Sequence, residues 1–138
     1  MPKVESRNFY RIIDANFNRS KEGLRVCEDI CRFIYNDERL TSKFKILRHR
    51  LTTIISLLKI PALIQARDVR GDIGQGSYHL ELKRGEVEDI FYANSQRVKE
   101  SVRVLEEFAK LLNRHMAEKL KSLRYQMYAL EKEVTKRH

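Results

Sequence analysis

The chain has 138 residues, of which 42% are hydrophobic and 34% charged, a balance typical of one soluble globular domain and not of a disordered segment. The longest apolar stretch, LTTIISLL at 51–58, is too short to cross a bilayer, and MPKVESRNFYRIID lacks the pattern of a signal peptide. We therefore expect a cytoplasmic protein that makes no membrane contact. Its net charge of +9 favours an anionic partner, which could be nucleic acid, a membrane surface or a phosphorylated small molecule, and composition alone does not choose among them.

Hydrophobic periodicity predicts four helices. Ser6 is a candidate N-cap for the first helix, Pro61 is expected to end the second, and NRH at 113–115 separates the last two. Cys27 and Cys31 lie four residues apart within the first helical pattern, without the spacing of a metal or redox motif, so we interpret both as core residues. The predicted ranges, in chain order, are 6–34, 38–60, 86–112 and 116–135.

The connection at 61–86 differs from the rest of the chain. Glycines at 71, 74 and 76 alternate with charged residues, which suits a tight loop that approaches a ligand closely. A loop of this length without regular structure is usually functional or disordered. SYHLEL at 77–82 is also compatible with a short strand.

The chain contains an internal repeat. DANFNRSKEGLRVCEDICRFI at 14–34 returns as YANSQRVKESVRVLEEFAKLL at 92–112, with eight of twenty-one positions identical, whereas ordinary composition gives about one or two. FKILRH at 44–49 likewise resembles LKSLRY at 120–125, but at an offset of 76 residues instead of 78. The connection inside one half is therefore expected to be two residues longer.

This repetition predicts an all-α fold in one domain: a four-helix bundle made of two helical hairpins, with internal pseudo-two-fold symmetry. Repeat one covers about 6–60, the linker 61–86 and repeat two about 87–136. A homodimer formed through a hairpin face is compatible with this pattern, although the repeat already supplies the symmetry that a dimer would add.

Two pairs of polar residues interrupt the amphipathic pattern at equivalent places. Asn16 and Asn94 fall in the apolar stripes, so they either form a buried polar pair that sets the bundle register or face a common ligand. Arg19 and Arg97 follow one turn later, where a guanidinium can bind phosphate or carboxylate in bidentate fashion. The alternative for these arginines is a structural ion pair with a neighbouring glutamate.

Familiar nucleotide motifs do not occur in the sequence. GDIGQG matches neither the P-loop nor the dinucleotide fingerprint, so phosphoryl transfer would depend on arginine clamps and carboxylate-held Mg²⁺. Two other functions remain open: a non-enzymatic basic helical module that binds nucleic acid or another anionic partner, and a small helical mutase acting on a dicarboxylate. Against nucleic acid, the cations are scattered among 19 acidic residues, and no cluster of stacking aromatics appears.

Five separated motifs resemble one all-helical bacterial family, in the same order, over about 7–135. That family occurs as a domain N-terminal to thiamine phosphate synthase in some bacteria and as a separate protein in others. It is credited with kinase activity, converting 4-amino-5-hydroxymethyl-2-methylpyrimidine phosphate and ATP into the pyrophosphate. No synthase domain follows here, so we expect the stand-alone form. The motifs are DANFNRSKEGLRVCEDICRF, LRH, ARDVRGDIGQG, YANSQRVKESVRVLEEFAK and LRYQMYALE.

The resemblance implies a site that binds two phosphorylated substrates, and the chemistry suggests roles. Arginines are expected to bind the phosphates, Asp68 or Asp72 to hold Mg²⁺ with ATP, and Asn16 and Asn94 to hydrogen-bond the pyrimidine. No strong general base is needed, since a phosphate oxygen is the nucleophile. The catalytic set is Arg19, Arg97, Arg67 and Asp68. The substrate-binding set is Asn16, Asn94, Arg48, Arg124, Glu22, Glu100 and Gly74.

Overall fold

The computed structural model describes residues 3–76 and 84–138, and every regular element in these ranges is helical. This confirms the predicted all-α class with bundle packing. SYHLEL at 77–82 lies outside the described residues. The elements are α1 (Lys3–Asp29), a π-helical turn that continues it (Ile30–Ile34), α2 (Glu38–Ile55), α3 (Ile60–Ala66), α4 (Val87–Ala109) and α5 (Arg114–Arg137).

Pro61 begins a helix instead of ending one. Helix α2 stops at Ile55, and Lys59 is the extended N-cap of the short helix α3, with Pro61 in its first turn. The prediction that the second helix reaches Ile60 was therefore wrong. Proline is tolerated in a first turn because the N–H that it lacks would have no intrahelical partner there. The irregular part of the linker consequently starts only at Arg67, the C-cap of α3.

The four long helices form a bundle in which α1 packs on α2 and α4, and α5 packs on α2 and α4. Helices α1 and α4 pack closely at Gly23, where an added Cβ would lie 2.7 Å from Cγ2 of Val98. Beside this point, the buried hydroxyls of Ser20 and Ser101 hydrogen-bond across the interface at 2.6 Å. Both Cys27 and Cys31 are fully buried in the core, as predicted.

Equivalent backbone hydrogen bonds close the connection between the two helices of each hairpin. The N–H of Asp37 donates to the Cys31 carbonyl at 2.9 Å, and the N–H of Asn113 donates to the Ala109 carbonyl at 2.7 Å. Asp37 and Asn113 are the N-caps of α2 and α5. The first connection contains two more residues, which the wider π-helical turn at 30–34 accommodates, since its hydrogen bonds span five residues instead of four.

One ion pair in each half of the chain joins the same two aligned positions, a glutamate on the first helix of the hairpin and an arginine on the second. Arg48 Nε donates to Glu28 Oε1 at 3.1 Å, and Arg124 forms a two-pronged pair with Glu106. Both carboxylates are buried. The internal repeat itself stays a prediction from the sequence.

In the described part of the chain, no helix is both long and apolar enough to span a membrane.

Candidate functional site

A cleft of about 680 Å³ lies between the N-terminal half of α1 and the segment that follows α3. It brings together five of the residues predicted from the sequence, two on α1 and three on the linker: Asn16, Arg19, Arg67, Asp68 and Asp72. The other polar lining residues are Asn8, Arg11, Asp14, Asn18 and Gln75.

An ion pair ties the linker to α1 at this cleft. Arg67 Nε donates to Asp14 Oδ2 and Arg67 Nη2 donates to Asp14 Oδ1, both at 2.8 Å. Asp14 is buried and also accepts a hydrogen bond from Asn18 Nδ2 at 3.2 Å, whereas the Arg67 side chain is 43% exposed. Hydrogen bonding and charge attraction from Asp14 raise the pKa of Arg67 above its ordinary value. Arg67 therefore remains cationic at the mouth of the cleft.

A second arginine is held by an amide. Arg19 Nη1 donates to Asn16 Oδ1 at 3.3 Å, and Asn16 Nδ2 donates to the Ile12 carbonyl at 2.8 Å. Within the described residues, neither Arg19 nor Arg11 lies within ion-pair distance of a carboxylate. The alternative of a structural ion pair for Arg19 is thus not what the structure shows. Two guanidinium groups without a carboxylate partner in the described part of the chain make the cleft suited to an anion.

The linker presents two carboxylates to the same cleft. Asp68 Oδ1 accepts the Gly71 N–H at 2.8 Å, and Asp72 Oδ1 accepts the Gly74 N–H at 2.9 Å. Each carboxylate keeps a second oxygen that these turns do not use, and oxygen donors of this kind suit Mg²⁺. Among the described residues, no three His, Cys, Asp or Glu side chains form a ready-made metal cluster. A cation here would take its other ligands from phosphate and water.

The structure separates Asn94 from Asn16. Cys27 Sγ approaches the Phe91 carbonyl at 3.9 Å, and Gly23 lies against the Asn94 carbonyl, so α1 and α4 run antiparallel. Asn94 therefore lies near the level of Gly23, seven residues or about 10 Å along α1 from Asn16. The interpretation that the two asparagines face one another was wrong. Asn94 Nδ2 instead donates to the Ile90 carbonyl at 2.8 Å.

The remaining predicted site residues do not line the cleft. Arg97 Nη2 lies 4.0 Å from Glu22 Oε2, with both side chains more than half exposed, and Glu100 accepts a bond from Gln96 at the surface. Arg48 and Arg124 are engaged by their glutamates, as described above. Gly74 is exposed in the linker beside the cleft. The functional roles of these residues stay predictions.

Sequence reasoning assigned none of the other five polar lining residues to the site, although three of them form a pattern. Arg11, Asp14 and Asn18 follow the spacing i, i+3, i+7, which places them on one side of α1. This polar stripe was a usable signal. A second signal was the difference between the repeats at Asp14, where an acidic residue in the first half aligns with the aromatic Tyr92 in the second.

Comparison with known proteins identifies relatives of the chain and its family. It is 42% identical over 123 residues to a thiamine-phosphate synthase of Nostoc punctiforme, covering 88% of this chain and 34% of the relative. It is 38% identical over 135 residues to one of Rhodopirellula baltica, covering 97% and 36%. The chain thus spans about a third of the length of these relatives. No solved structure matches it significantly. The model of the ThiD2 family matches residues 11–133, nearly the whole of the bundle, and the chain therefore belongs to the ThiD2 family.

Proposed function

We propose that this protein transfers a phosphoryl group from ATP to 4-amino-5-hydroxymethyl-2-methylpyrimidine phosphate, as a step of thiamine biosynthesis. The names of its relatives support the pathway, because they are thiamine-phosphate synthases. The observation that carries the reaction type is the cleft, where the guanidinium groups of Arg11 and Arg19, which have no carboxylate within ion-pair distance among the described residues, share one space with the carboxylates of Asp68 and Asp72.

In this reaction an oxygen of the acceptor phosphate attacks the γ-phosphorus of ATP. A new P–O bond forms as the bond to the β–γ bridging oxygen breaks, and ADP leaves with that electron pair. The main obstacle is the repulsion between two phosphate groups, which fixed cations reduce. Arg11 and Arg19 would bind the phosphates, and Arg67 would present the part of its guanidinium that Asp14 does not use.

Asp68 and Asp72 are the residues that would hold Mg²⁺, which neutralises phosphate charge when bound. The hydrogen bonds from the Gly71 and Gly74 N–H groups orient the two carboxylates. A Cβ at residue 71 would meet the Asp68 carboxylate, so a larger residue there would displace this carboxylate from its present position. The linker thereby supplies acidic groups, and α1 supplies the basic ones.

The hydrogen bonds of Asn16 point to a second role beside the pyrimidine recognition predicted from the sequence. Both ends of its amide are engaged within the protein, by Arg19 and by the Ile12 carbonyl. We assign to Asn16 the orientation of the Arg19 guanidinium. Recognition of the pyrimidine by Asn16 and Asn94 stays a prediction.

The decisive test is a phosphotransfer assay with Mg·ATP and either the pyrimidine phosphate or the unphosphorylated alcohol. Formation of the pyrophosphate from the phosphate alone supports the proposal, and inactivity of the folded protein on both compounds contradicts it. Arg19→Ala should lower kcat/KM at least about 100-fold, the cost of losing one charge-stabilising donor. Arg103→Ala is the matched control, because Arg103 is exposed and pairs with Glu107 outside the cleft.

The role predicted for Arg97 is tested in the same series. A loss for Arg97→Ala similar to that for Arg19→Ala would extend the site across α4, whereas a rate like that of Arg103→Ala would confine it to α1 and the linker. Duplex DNA serves as a separate control. Tight, steeply salt-dependent binding would favour the alternative of a basic nucleic-acid-binding module.

A further inference from the structure

We propose that Asp14 is a positioning residue, which holds the Arg67 guanidinium and the start of the linker in place at the cleft. The inference rests on the proposed function for its catalytic consequence. The tie itself stands on geometry alone, since both carboxylate oxygens of Asp14 accept from Arg67 at 2.8 Å.

The two partners differ in how firmly the fold holds them. Asp14 lies in the middle of the 27-residue helix α1, which packs on three other helices, and its side chain is 7% exposed. Arg67 caps the seven-residue helix α3 and has extended backbone angles, so the chain leaves helical structure at this residue. A rigid carboxylate thus anchors the point where the irregular linker begins.

The geometry of the pair also leaves donors for a ligand. A guanidinium has five N–H groups in one plane, and the pair with Asp14 uses one on Nε and one on Nη2. Both N–H groups of Nη1 and one of Nη2 remain. Because Asn18 Nδ2 also bonds to Asp14 Oδ1, the carboxylate is itself oriented, and the plane of the guanidinium follows it. Asp14 thereby determines which edge of Arg67 is offered to a phosphate.

The second half of the chain lacks this arrangement. Tyr92 occupies the position equivalent to Asp14, and its hydroxyl hydrogen-bonds with Thr135 Oγ1 at 3.1 Å. A carboxylate at this place is therefore not needed to build the hairpin. The carboxylate occurs only in the half that carries the linker, and it pairs with Arg67, where this linker begins. This agrees with a role of Asp14 in the site and not in the bundle.

A double-mutant cycle with Asp14→Asn and Arg67→Gln tests the proposal. If Asp14 acts through Arg67, Asp14→Asn should lower kcat/KM at least about 10-fold, mainly through a higher KM for the phosphorylated pyrimidine, while the unfolding temperature changes little. Adding Asp14→Asn to Arg67→Gln should then cost nothing further. Effects that multiply in the double variant would overturn the proposal.

Trypsin supplies a readout that needs no activity. Cleavage after the exposed Arg70 should be faster in Asp14→Asn and in Arg67→Gln, and no faster still in the double variant. If the wild-type protein shows no phosphotransfer, the proposed function fails. The trypsin cleavage rates of the variants then decide alone whether Asp14 holds Arg67. Coupled cleavage rates would support the tie between Asp14 and Arg67, and an unchanged rate in Asp14→Asn would overturn it. Circular dichroism verifies that each variant is folded.

Discussion

Replacing Glu106 with glutamine removes the negative member of the most buried ion pair that the described residues contain. The side chains of Glu106 and Arg124 are 4% and 10% exposed, and two hydrogen bonds join them. Hydrogen bonding from Glu106 raises the pKa of Arg124 above its ordinary value, so the guanidinium is charged at any working pH. Glu106→Gln therefore leaves a cation in the interface between α4 and α5 without its counter-charge.

The expected loss of stability follows from this burial. Breaking a fully buried ion pair costs about 3–5 kcal/mol, because the remaining charge is desolvated without compensation. Arg124 keeps a long contact with the Tyr128 hydroxyl at 3.5 Å and a small exposed fraction, and the glutamine carbonyl still accepts one bond. We therefore expect Glu106→Gln to lower the free energy of unfolding by about 2–3 kcal/mol. That corresponds to a fall of roughly 6–10 °C in Tm for a domain of this size.

Urea denaturation followed by circular dichroism at 222 nm measures the effect, with two comparison variants. Glu28→Gln breaks the equivalent pair, but Arg48 is 18% exposed, so its loss should be smaller, about 1–2 kcal/mol. Glu107→Gln is the surface control, since Glu107 and its partners Arg103 and Lys110 are about half exposed, and its stability should match that of wild type. Equal stability of the Glu106 and Glu107 variants would refute the reasoning.

Three further changes have defined outcomes. Gly23→Ala should lower the free energy of unfolding by about 1–2 kcal/mol in thermal unfolding, because the added methyl group meets Val98. The better helix propensity of alanine offsets only part of this loss. A stabilised variant would mean that the helices can separate freely. Burial raises the pKa of Cys31 to about 12 and that of Cys27 also upward, so neither thiol should react with a thiol reagent at pH 8 until the protein unfolds. Burial opposes ionisation of Asp37, but hydrogen bonds from His138 and a backbone N–H, with the charge of Arg137, lower its pKa. The stability that wild type gains over Asp37→Asn should accordingly be present above about pH 4 and disappear as the pH falls further; a difference independent of pH would contradict this.

The helices were largely predictable from the sequence. Apolar spacing marked α1, α2, α4 and α5 because each buries one stripe against the same core, and period 3.6 is legible in a single segment. Pro61 misled the prediction, since the same residue can end one helix or begin the next. Which of the two occurs depends on whether the segment after it, here α3, finds a surface on which to pack.

The candidate site was predicted only in part. Asn16, Arg19, Arg67 and the two linker aspartates are conspicuous as polar residues in apolar or glycine-rich surroundings, and they do meet in one cleft. Arg48 was equally conspicuous, yet its charge is taken up by Glu28. Sequence spacing along one helix does not reveal a partner on another, so a structural arginine and a binding arginine have the same appearance in the sequence.

The sequence by itself determined the all-α class, the helical periodicity and the repetition of one hairpin pattern, because these depend on residues close along the chain. Tertiary structure decided which repeated residues meet. The antiparallel packing of α1 and α4 keeps Asn16 away from Asn94, and the packing of α3 on α1 brings Arg67 to Asp14 across 53 residues of chain. Such contacts arise from the packing of whole helices against one another, and no local pattern encodes the register of that packing.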